Sequence, residues 1–130
     1  MAKPLRVYIV EDSAILQRLL VSAVLAAGAQ VVGCSADAQT ATSDLFVQQP
    51  DLVVIDISLS SGSGFDVLKA LHDHNLAPGA IKLVLTNHPE YHDLSLQLGA
   101  DRFFDKALET SKALAYIGSL AAADAPTRAS

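Results

Sequence analysis

Five times along this chain, a short apolar run rich in β-branched or aromatic residues gives way to a longer stretch with helical patterning. A strand followed by a helix, repeated five times in about 120 residues, leaves few folds open. Parallel strands need crossover connections, and helices supply them on both faces of the sheet. The reading is therefore α/β: a (βα)5 doubly wound parallel five-stranded sheet. Residues 5–10 read as the first strand, and Ser13 as the cap of a helix carrying Leu16, Leu19, Leu20, Ala23, Val24 and Ala27 at helical spacing. Gly28 stops that helix. Residues 29–34 and 52–55 are further strands, the latter (Leu52-Val53-Val54-Ile55) apolar throughout, as in a strand buried on both faces. Residues 81–85 and a short run from Arg102 to Phe104 complete the sheet. Helices are predicted over 38–48, 64–75, 89–98 and 107–122, with Pro89 suited to a first helical turn. The domain is expected over residues 4–122, with 123–130 as a flexible tail.

Composition narrows the function classes. In 130 residues, 51% are hydrophobic and 18% charged, which argues against disorder as the main state. No apolar run approaches the ~20 residues of a membrane span, and no secretory signal is expected, because Glu11-Asp12 interrupts the first apolar run. A lone cysteine, Cys34, fits a reducing, cytoplasmic setting and reads as a buried small hydrophobe. The net charge is −5 with no basic cluster, so no direct nucleic-acid partner is expected.

The polar residues at strand ends carry the chemistry. Strand one ends in Glu11-Asp12, strand three in Asp56 and strand four in Thr86; strand five runs into Lys106. A parallel sheet gathers these side chains at one edge, where ligands of such folds bind. Three carboxylates brought together repel one another, and a hard divalent cation relieves that repulsion. With Lys106 adding a further positive charge, the set suits a dianionic phosphoryl group attacked by a carboxylate.

Glu11-Asp12, Asp56, Thr86 and Lys106, each after its strand and in this order, closely resemble the receiver domain of bacterial two-component response regulators, the CheY-like, flavodoxin-like fold. The resemblance implies Asp56 as phosphoacceptor and Mg²⁺ held by Asp12, by Glu11 through water, by Asp56 and by the backbone carbonyl of Ser58. It implies Lys106 as the partner of the acceptor carboxylate, Thr86 as the switch hydroxyl and Phe103 as the aromatic that moves with it. It implies phosphotransfer from a sensor histidine kinase or histidine phosphotransfer domain, and an output through a protein target or self-association. Three positions depart from the family pattern. Ala107 stands where proline usually follows the lysine, leaving the isomer of the Lys106–Ala107 bond open. Ser60 replaces another common proline, so a looser loop is expected there. Phe103 lacks the usual tyrosine hydroxyl.

Other features have plainer readings. Gly62-Ser63-Gly64 lacks a third glycine and follows the third strand, so it reads as a turn rather than a dinucleotide cradle. His88 and His92 are four apart with no further ligands, and they read as solvated. On the first helix, Ala14, Val21, Leu25 and Arg18 fall opposite Leu16. In the family this helix receives the phosphodonor domain, which singles out Ala14, Ile15 and Arg18 for docking. Two rival functions share the fold: a small Mg²⁺-dependent aspartyl phosphatase, and a phosphorylation-independent adaptor. Ser58 argues against the phosphatase, which would carry a second acid there. The complete acidic set argues against the adaptor.

Overall fold

The computed structural model describes residues 3–127, with side chains described through Ala123. Five parallel strands form one sheet: β1 (Arg6–Val10), β2 (Gln30–Ser35), β3 (Leu52–Ile55), β4 (Ile81–Thr86) and β5 (Arg102–Asp105), in the order β2-β1-β3-β4-β5. The helices are α1 (Ala14–Ala26), α2 (Ala38–Gln48), α3 (Gly64–Asp73), α4 (His92–Gln97) and α5 (Lys106–Thr127).

Alternation along the strands divides the interior into two cores. Tyr8 and Val10 of β1, Val53 and Ile55 of β3 and Val84 of β4 face one side, against Leu45 of α2 and Val67 and Leu68 of α3. Val7, Ile9, Val54, Leu83 and Leu85 face the other, against Leu20 and Val24 of α1 and Ala113 and Ile117 of α5. The chain first steps outward from β1 to β2, then returns to place β3 on the other side of β1. This reversal opens a crevice at the carboxyl ends of β1 and β3. Glu11-Asp12 and Asp56 are the residues that immediately follow those strands.

Several local expectations change. The buried face of α1 centres on Leu20 and Val24, not on Leu16. Leu19 is therefore exposed, while Val21 packs against the second core. β2 starts one residue later than expected and lies at the sheet edge, which leaves Cys34 half-buried. Burial still pushes its thiol pKa upward. The expected helix over 89–98 divides into a 3-10 turn, Pro89–Tyr91, and the short α4. α3 ends at Asp73, because Asn75 adopts a left-handed φ of 48° that stops the helix. α5 passes the expected boundary at Ala122 and reaches Thr127; the alanines at 121–123 favour continued helix. The tail expected at 123–130 is thus helical through 127, and 128–130 lie outside the described residues. All peptide bonds among the described residues are trans, Lys106–Ala107 included. No helix among them is long and apolar enough to cross a membrane.

Two glycines are required by close approach. At Gly33 a Cβ would lie 2.6 Å from the Tyr8 ring, which crosses beneath β2 to donate its hydroxyl to Asp44 Oδ2 at 2.7 Å. At Gly64 a Cβ would lie 2.3 Å from the Asp56 carbonyl oxygen. Glycine there lets the start of α3 pack onto the backbone of Asp56.

Candidate functional site

Glu11 is fixed at three points. Its N–H donates to the Ser35 carbonyl at 2.9 Å, its Oε2 accepts from the Ser13 N–H at 2.9 Å, and its own carbonyl accepts from the Gln17 amide. Ser13 in turn caps α1 by accepting from the Leu16 N–H at 3.2 Å. Asp56 continues the β1–β3 ladder, donating its N–H to the Val10 carbonyl at 2.9 Å. Its Oδ1 accepts from the Ser58 N–H at 3.2 Å.

The Lys106 ammonium joins the two strand ends. It lies 2.7 Å from Asp56 Oδ2 and 2.8 Å from Glu11 Oε1, with its own side chain 11% exposed. Glu11 and Asp56 are both buried, whereas Asp12 sits exposed at the rim. One carboxylate oxygen from each of the three acids lies within 4.8 Å of the others.

Two buried acids share a single ammonium with a third acid nearby at the rim, so one of the buried pair is expected to hold its proton unusually tightly. Burial pushes the Glu11 carboxyl up from 4.5 to about 7; the Asp56 charge adds to this, and Lys106 opposes it. For Lys106, burial acts to lower the pKa, but its contacts with Asp56 and Glu11 outweigh burial and raise it. The donor set is all hard oxygen with a surplus of negative charge, which fits Mg²⁺. Glu11, Asp12 and Asp56 are the side chains that would hold the ion.

Thr86 ends β4 fully buried, and its hydroxyl has no hydrogen-bond partner among the described residues. A buried hydroxyl left unpaired costs stability and calls for an explanation. Phe103 is its diagonal neighbour across the β4–β5 ladder, since Val84 pairs with Phe103 and Thr86 with Asp105. The Phe103 ring is half-buried against the first core and meets the His92 ring edge-on, with centroids 5.2 Å apart.

The loop after Asp56 is tied down where a looser segment was expected. The Ser60 N–H and hydroxyl both donate to the Ala36 carbonyl, at 2.9 and 2.8 Å. Proline at this position could make neither bond. Ser58 and Ser63 bridge across the loop, and Ser63 forms a capping box with Asp66 at the start of α3. Gly62-Ser63-Gly64 is accordingly a turn and helix cap. His88 packs beside Tyr91 and Glu90, while His92 contacts Asp93 and Phe103, so the two share no ligand position.

Ala14, Ile15 and Arg18 are all exposed in the first turns of α1, directly after Asp12; Ile15 is 80% exposed. Sequence reasoning passed over Leu108, two residues after Lys106 and 83% exposed. An apolar residue on the outer side of α5, so near the lysine, was the available signal. It also passed over Gln17, a polar residue on the inward side of α1 beside Leu16 and Leu20.

A hydrogen-bonded lysine bridging two buried acids thus sits at the crevice of a doubly wound parallel α/β domain. The chain belongs to the response regulator receiver domain family, whose model matches residues 7–117. It is 35% identical over 115 residues to a protein-glutamate methylesterase/protein-glutamine glutaminase of Desulfotalea psychrophila, covering 85% of this chain and 31% of that protein. It is 31% identical over 106 residues to the probable transcriptional regulatory protein TcrX of Mycobacterium tuberculosis, covering 80% of this chain and 44% of the relative. The match thus covers less than half the length of either relative. Among solved structures, the response regulator domain of Thermotoga maritima CheB matches with a TM-score of 0.79 at 20% identity, over 94% of this chain and 96% of that one. A CheY-like receiver domain protein from Methanospirillum hungatei matches with a TM-score of 0.79 at 23% identity, over 94% and 97%. These structural matches speak to fold.

Proposed function

We propose that this receiver takes a phosphoryl group onto Asp56 from a phosphohistidine of a sensor histidine kinase or histidine phosphotransfer domain. An Asp56 carboxylate oxygen forms the new bond to phosphorus as the phosphorus–nitrogen bond breaks, and the electron pair leaves with the imidazole. The observation that carries the reading is the Lys106 ammonium held at 2.7 Å from Asp56 Oδ2. Held there, it can balance the charge on the acceptor and then on the transferred oxygens. Mg²⁺, when bound, supplies the remaining positive charge; Glu11, Asp12 and Asp56 are the side chains chosen for it, with the Ser58 carbonyl. The unpaired Thr86 hydroxyl is a ready donor to an oxygen on Asp56, and Phe103 is the neighbouring ring able to follow its movement. The reading places the domain in the cytoplasm as a signalling module, with a protein target or self-association as its output.

Intact-mass measurement with Mg²⁺ and acetyl phosphate tests this. Wild type should gain one phosphoryl group and the Asp56→Asn variant none. Multiple turnover would support the phosphatase, and the absence of any adduct the adaptor. Docking on α1 makes a separate prediction: Arg18→Glu and Ile15→Ala should slow transfer from a cognate histidine donor while leaving acetyl phosphate labelling intact. Equal loss with both donors would make α1 merely structural.

A further inference from the structure

We infer that Gln17 is a positioning residue for the cation site, acting through the Glu11–Asp12 peptide. This rests on the cation site proposed above. The side-chain amide of Gln17, half-buried on α1, donates to the main-chain carbonyl of Glu11 and reaches the Ser35 carbonyl at 3.5 Å. Both partners are acceptors, so the amide must present its nitrogen to them. The two carbonyls lie at the carboxyl ends of adjacent strands, already joined by the Glu11 N–H on the Ser35 carbonyl.

Gln17 therefore pins one face of a single peptide plane, and that plane carries the Cα of Asp12. The other two acids are held by direct contacts: Glu11 by the Ser13 N–H and Lys106, Asp56 by the Ser58 N–H and Lys106. Asp12 is exposed and has no comparable side-chain hydrogen bond among the described residues. The position from which its carboxylate reaches toward a cation is therefore set by the backbone. A polar side chain on the inward side of an otherwise apolar helix face also needs a reason to be there, and among the described residues its amide donates to these two carbonyls. Partners one step removed from a metal ligand commonly govern affinity by 10- to 100-fold.

The test is a calorimetric Mg²⁺ titration at pH 8 of the wild type, Gln17→Met and Gln17→Asn. Met keeps the length without a donor, and Asn keeps the amide but is one methylene too short. Both should bind Mg²⁺ about tenfold more weakly than wild type. Tyr8→Phe, which removes a different hydrogen bond between β1 and α2, serves as a destabilised control and should bind as wild type does. If either folded Gln17 variant binds Mg²⁺ as tightly as wild type, the inference is overturned while the cation site stands. If Tyr8→Phe weakens binding equally, the effect is one of general stability and the inference also falls. If wild type itself takes no Mg²⁺, the cation site fails and the inference with it.

Discussion

The burial of Glu11 makes the stability of this domain pH-dependent in a direction opposite to the usual salt-bridged carboxylate. Glu11 titrates near 4.5 in the unfolded chain and is pushed to about 7 by burial in the folded one. Between those values the folded protein retains a proton that the unfolded chain has released, so stability falls as pH rises through the window. Two and a half pH units set a ceiling of roughly 3–4 kcal/mol, most of which falls between pH 5 and pH 8. The other shifted groups act outside this window. Lys106 is raised, so its contribution is fully present below pH 10.5 and is lost only as pH passes its folded value. Asp37 is lowered by the Thr40 N–H, so its contribution is lost only as pH falls below 3.8.

Urea unfolding in EDTA at pH 5 and pH 8 measures the difference directly. Wild type should lose roughly 2–3 kcal/mol on going to pH 8, a large share of a small domain's stability. Glu11→Gln cannot ionise at this position, and its loss over the same range should be under about 1 kcal/mol. Mg²⁺ must displace the same proton, so its affinity should rise with pH up to about 7 and then level off. A wild type equally stable at both pH values, or a Glu11→Gln protein that loses as much, would refute the reasoning.

Two further predictions concern single atoms. Thr86→Val removes the unpaired buried hydroxyl at nearly constant volume, so it should hold or raise stability by up to about 1 kcal/mol in urea. It should still label on Asp56, but beryllofluoride should no longer change its target affinity or sedimentation. Gly64→Ala places a Cβ 2.3 Å from the Asp56 carbonyl, and should cost about 1–3 kcal/mol and slow acetyl phosphate labelling. Labelling at the wild-type rate would show that the β3–α3 junction yields without moving Asp56.

The parts of this structure that were legible in the sequence share one cause: they follow from periodicity or from position along the chain. The run at 52–55 could only be a strand buried on both faces, and residues just after parallel strands had to meet at one edge. That logic brings Glu11, Asp12, Asp56 and Lys106 to one crevice and puts Thr86 at the end of the neighbouring strand β4. What stayed hidden depends on rotation and reach. Leu19 and Val21 exchange burial because a modest rotation of α1 moves the buried face toward Leu20 and Val24. The Ser60 bonds to Ala36 join loops 24 residues apart, and no local pattern signals them. The contact of Lys106 with Glu11 requires β1, β3 and β5 to converge on one ammonium, which follows from strand order rather than from any motif.

That convergence also explains why the site is built with a charge deficit. Two buried carboxylates against one ammonium leave one negative charge uncompensated, and Asp12 at the rim adds another. A second buried lysine would neutralise the pair, but it would also leave little attraction for a divalent cation or room for the oxygens of a transferred group. With one lysine, the deficit can be met in either of two ways: by a proton on Glu11 or by a metal ion at the three acids. A proton and a metal ion would compete for this cluster of oxygens. The raised Glu11 value near neutrality therefore belongs to the same arrangement that makes the crevice attractive to Mg²⁺. Asp56→Asn removes one of the opposing charges and should lower the Glu11 value, flattening the pH 5–8 slope in EDTA while weakening Mg²⁺ binding. If the slope in Asp56→Asn stays as steep as in wild type, Asp56 contributes nothing to holding the Glu11 proton, and the idea of a shared deficit fails.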